Sequence, residues 1–75
     1  MPDRLPVRTS QSDIVRALVR LGGTWDKSHG KGSHEGVRMP NGYTAIIPYR
    51  GMSRSMLTTS LRLADISIDD FMNAL

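Results

Sequence analysis

The chain contains no cysteine, so disulfides and thiolate metal sites are excluded. A cysteine-free composition fits a reducing compartment such as the cytoplasm. Aromatic residues are scarce: one tryptophan, two tyrosines and one phenylalanine in 75 residues. Such a short chain buries only about 60% of its unfolded surface, so its core must be thin. No apolar run approaches the roughly 20 residues that a membrane-spanning helix needs. The N-terminal residues hold charges and two prolines but no apolar stretch of the kind a signal peptide requires. There is no glycine-rich nucleotide loop and no nucleophile–histidine–acid triad. The two histidines, His29 and His34, have only Asp26 and Glu35 as acidic neighbours, too few ligands at usable spacing for a zinc site.

What is present is an uneven distribution of charge. The net charge is +3. Residues 16–62 carry Arg16, Arg20, Lys27, Lys31, Arg38, Arg50, Arg54 and Arg62 against Asp26 and Glu35. The residues after them carry Asp65, Asp69 and Asp70 and no base. A basic centre with an acidic tail favours a polyanionic partner, such as nucleic acid, for the centre.

Residues 1–9 contain Pro2 and Pro6 and no periodicity, and are expected to form an extended or flexible arm ahead of a single domain over 10–75. Ile14, Leu18 and Leu21 recur at helical spacing, which predicts a helix over 12–21, with Ser10 or Ser12 as its cap, Ser10 and Asp13 fitting a capping box, and Gly22-Gly23 as its stop. Strands are expected over 24–29, 34–39 and 43–47. Pro40-Asn41-Gly42 marks the hairpin between the last two, with Asn-Gly suited to a type I′ turn. Leu57, Leu61 and Ala64 predict a second helix over 54–64, with Ser53 as a cap. Ser67 and Asp70 cap a short third helix over 68–74. The order is α-β-β-β-α with an extra helix at the end. Its simplest form is an α+β fold, a three-stranded antiparallel meander with helices on one face and the other face open. Trp25 and Phe71 are assigned to the core. Tyr43 and Tyr49 are candidates for stacking on a base, with cross-strand packing as the alternative for Tyr43.

The segment Ser28-His29-Gly30-Lys31-Gly32-Ser33-His34 is the candidate for chemistry. Histidine is the side chain whose ordinary pKa suits proton transfer near neutrality. RNA cleavage needs a base for the 2′-hydroxyl, and cations or backbone N–H groups for the charge that develops on phosphorus oxygens. Lys31 stands three residues before His34, and Gly30 and Gly32 permit close approach of backbone to phosphate.

In order along residues 12–75 stand Gly23-Thr24-Trp25, Lys31-Gly32-Ser33-His34, Asn41-Gly42, Ile47-Pro48, Leu57 with Leu61-Arg62, and Ile66-Ser67 with Phe71. This series resembles the HicA toxins, also called YcfA-like proteins. The family's pattern differs at some positions: Tyr49-Arg50 stand where many members carry a further histidine, and Glu35-Gly36 where apolar residues often follow Gly-Ser-His. The resemblance implies a dsRBD-like fold and an mRNA-cleaving endoribonuclease that uses no metal or other cofactor. It implies His34 as the catalytic residue and a HicB-type antitoxin that covers the site. On this reading Lys27, Lys31, Ser33, Arg38, Arg50 and Arg54 are the RNA-binding candidates, and the toxin alone is a monomer. A non-catalytic RNA-binding module with the same basic centre is the alternative.

Overall fold

A computed structural model describes residues 5–26 and 34–75. Along the chain run β1 (Arg8–Thr9), α1 (Gln11–Arg20), β2 (Thr24–Asp26), β3 (Glu35–Arg38), β4 (Thr44–Ile47), β5 (Met52–Ser53), α2 (Arg54–Leu63) and α3 (Ile68–Ala74). Together they form a small α+β fold with antiparallel sheets.

The three helices start where serine can satisfy the first orphan amides. Ser10, Ser53 and Ser67 accept from the backbone N–H of Asp13, Met56 and Asp70, respectively. Two of the helix ends are closed by the same pair of bonds. After α1, Gly23 N–H donates to Leu18 O at 2.9 Å and Gly22 N–H to Val19 O at 3.1 Å. After α2, Ile66 N–H donates to Leu61 O at 2.9 Å and Asp65 N–H to Arg62 O at 3.1 Å. Gly22 takes the left-handed position in the first case. Asp65 takes it in the second, at φ 59°, the one non-glycine with positive φ among the described residues.

The central sheet has the order β2-β3-β4. Its register pairs Trp25 with Val37 and Val37 with Ala45, and ends at Glu35 opposite Ile47. Alternation sends Val37, Ala45 and Ile47 to one face, where they are buried beneath the helices with Ile14, Leu18, Leu57, Leu61 and Phe71. Thr24, Gly36, Arg38, Thr44 and Ile46 belong to the opposite face, on which Arg38 and Ile46 are exposed.

The β3–β4 hairpin departs from the expected type I′ turn. Asn41 does not have positive φ; only Gly42 does, at 93°. Gly42 N–H donates to Met39 O and Met39 N–H to Tyr43 O, at 2.9 and 2.7 Å, so the loop is three residues long with glycine at its left-handed end. Pro40 explains the difference, because its ring fixes negative φ at the first turn position. Asn41 serves the turn through its side chain instead: Oδ1 accepts from Tyr43 N–H, and Nδ2 donates to Leu63 O on α2.

Residues 5–9 are tied to the body rather than loose. Leu5 is buried in the core. Arg8 and Thr9 pair with Ser53 and Met52 in a second, two-stranded sheet. Arg54 secures the same segment twice: its N–H donates to Val7 O and its Nε to Leu5 O, both at 3.0 Å. Trp25 also departs from expectation. It is 47% exposed, and not a core residue as the sequence suggested. It stands on the helix-facing side of β2, a strand at the sheet's edge, where the first turns of α1 lie beside it.

Candidate nucleic-acid interface

His34 is exposed and immediately precedes β3. Because the last ladder pair is Glu35 with Ile47, the next positions outward are His34 on one strand and Pro48 on the other. His34 therefore stands at the end of the sheet where β4 leaves for the turn Pro48–Gly51. That turn is closed by Gly51 N–H donating to Pro48 O at 2.9 Å. Tyr49 and Arg50 ride on it, both exposed.

Glu35, next in sequence to His34, is engaged elsewhere. Its Oε1 accepts from Trp25 Nε1 at 2.6 Å. Both residues line a cleft of about 280 Å³ beside α1, together with Gln11, Ser12, Val15 and Arg16. Arg16 is held by Asp13 in an ion pair on the same helix. Alternation along β3 sends Glu35 toward the helices, with Val37, which turns its carboxylate away from the open face.

The three described cations among the RNA-binding candidates stand in three different places. Arg50 shares the end of the sheet with His34. Arg38 is exposed at the other end of β3, four positions from His34, roughly 13 Å along a strand. Arg54 is half-buried, and its guanidinium is spent in part on Leu5 O, so it carries a structural role. Lys27, Lys31 and Ser33 lie outside the described residues, as does His29. Among the described residues, no three His, Cys, Asp or Glu side chains group as a metal site would require. Among them too, no helix is long and apolar enough to cross a membrane.

One cation at this end of the sheet has no signal in the local sequence. Arg8 is exposed, and its Nη1 donates to Arg50 O at 3.0 Å. Its neighbours in the chain show no periodicity, and the partner that places it lies 42 positions away. Of the tyrosines, Tyr43 is partly buried against the core, as cross-strand packing requires, whereas Tyr49 is 71% exposed.

No protein-family model matches the chain, and neither a curated protein nor a solved structure matches it. The functional reading therefore rests on the residues and their placement.

Proposed function

We propose that the chain is a metal-independent endoribonuclease of the HicA toxin type, with a dsRBD-like arrangement of its helices and central sheet. It acts on mRNA in the cytoplasm and is silenced by a HicB-type antitoxin. The observation that carries the reading is an accessible histidine, His34, at the head of a central strand, with Arg50 and Tyr49 on the adjoining turn. The order of motifs along residues 12–75 supports it, as does the basic centre of the chain.

In this mechanism the neutral His34 imidazole takes the proton of a ribose 2′-hydroxyl. The 2′-oxygen attacks the adjacent phosphorus, and the bond to the 5′-oxygen breaks. The leaving 5′-oxygen takes its proton from the imidazolium or from water. The products are a 2′,3′-cyclic phosphate and a 5′-hydroxyl end. Arg50 and Arg38 neutralise phosphate charge along the bound strand. A single histidine that serves two proton transfers makes a slow nuclease, and a slow nuclease suffices where one cut disables a message.

The test is cleavage of a long single-stranded RNA in excess EDTA, comparing wild type with His34→Ala. The exposed position lets alanine enter without loss of the fold. Cleavage by wild type alone, with cyclic-phosphate ends, is the expected result. RNA binding by both proteins with cutting by neither would replace the nuclease with a non-catalytic RNA-binding module.

A further inference from the structure

The end of the sheet that carries His34 also gathers two arginines from distant parts of the sequence. Arg50 belongs to the turn Pro48–Gly51. Arg8 arrives on β1, and its guanidinium donates to the Arg50 carbonyl at 3.0 Å. Their proximity is built into the backbone. Arg8 stands opposite Ser53 in the β1–β5 ladder, and Thr9 opposite Met52. Gly51, at φ 81°, lets the turn meet β1 so closely that an added Cβ would lie 2.1 Å from Thr9 O. Among the described residues, no carboxylate forms an ion pair with Arg8 or Arg50. The Arg8 guanidinium thus lies against the Arg50 backbone, and both residues are exposed, so an anion at this turn is within reach of both cations.

We propose that Arg8 and Arg50 form a clamp for the phosphodiester backbone of single-stranded RNA beside His34, with Tyr49 as the stacking surface for an unpaired base. The inference rests on the nuclease reading and adds to it Arg8 as a binding residue, its coupling to Arg50, and the form of the substrate. A guanidinium presents five N–H donors in a planar fork suited to phosphate. Arg8 gives one of them to the Arg50 carbonyl and is thereby pre-positioned, which lowers the ordering cost of binding. An exposed tyrosine ring favours single strands, because paired bases do not offer their faces.

The experiment measures anisotropy of a labelled, 2′-O-methylated single-stranded RNA, which cannot be cut, across a salt series, alongside cleavage of the unmodified RNA. Arg8→Gln and Arg50→Gln should each weaken binding several-fold and reduce the slope of log K against log salt by about 0.7. Arg8→Lys should keep the slope. Tyr49→Ala should weaken binding by roughly 5- to 100-fold with the slope unchanged. Arg50→Gln retains the carbonyl that Arg8 uses, so it decides the matter even if loss of the Arg8 bond loosens β1. An unchanged slope in the glutamine variants, with a wild type that binds and cuts, overturns the clamp and leaves the nuclease standing. A wild type that binds no RNA overturns both.

Discussion

Among the described turns, replacing Gly51 with alanine should damage this domain more than any other single added methyl. Two costs combine there. A left-handed φ of 81° costs an L-residue about 1–2 kcal/mol. The new Cβ would also sit 2.1 Å from Thr9 O and 3.0 Å from Ser10 Cα, and both are backbone atoms with no rotamer to relieve them. Relief requires β1 to lift from β5. That movement pulls on Leu5, whose burial is worth roughly 1.5–3 kcal/mol. The sum is about 3–5 kcal/mol, against a total of roughly 4–11 kcal/mol for a domain of this length. Gly42→Ala is the internal control. Its φ is 93°, yet nothing lies within 4 Å of the added atom, so it bears the dihedral cost alone. Both changes reduce the entropy of the unfolded chain equally, and that contribution cancels in the comparison. In urea denaturation, Gly51→Ala should be less stable than Gly42→Ala by about 1.5 kcal/mol or more. Equal stabilities of the two variants would refute the claim that the turn and β1 are in obligatory backbone contact.

Two further changes probe local conflicts. Thr9 Oγ1 is buried without a hydrogen-bond partner, so the near-isosteric Thr9→Val should raise stability by about 1 kcal/mol in the same assay. Asp65 holds the left-handed closing position of α2 at φ 59°, and Asp65→Gly should raise the melting temperature by roughly 2–4 °C, equivalent to about 0.5 kcal/mol. A lower melting temperature would show that the aspartate side chain compensates for its backbone. The predicted loss of cleavage with His34→Ala is independent of these, because His34 is exposed and lies outside β1 and α2.

Sequence reading succeeded where the signal is local. Ser10, Ser53 and Ser67 each cap the helix expected from the apolar spacing behind them, and helix ends fell within a residue of expectation. The meander was legible for the same reason: short strands that follow one another in the sequence have few ways to pair. One failure is local, the type I′ turn that Pro40 forbids; the others are non-local. β1 is two residues long, and its partner β5 is equally short and far along the chain, so neither shows alternation. Arg54 reads as a surface cation because nothing near it announces that Leu5 O will need a donor. Trp25 reads as core by type, yet an edge strand with one helix flank beside it leaves half the ring uncovered. Of the candidate site, His34, Tyr49 and Arg50 were legible from type and position, and Arg8 was not.

The pairing of β1 with β5 also fixes an order of events. Met52 and Ser53 must exist before Arg8 and Thr9 can find them, so a nascent chain has made α1 and the whole meander before its first strand has anywhere to go. Closing so long a loop costs on the order of 3 kcal/mol in chain entropy, repaid by two short strands and Leu5. The segment that brings Arg8 to the turn is therefore made before its partner strand and is among the last parts of the domain placed. Until that placement His34 shares its end of the sheet with Arg50 and without Arg8, and the basic end of the sheet is complete only in the finished fold.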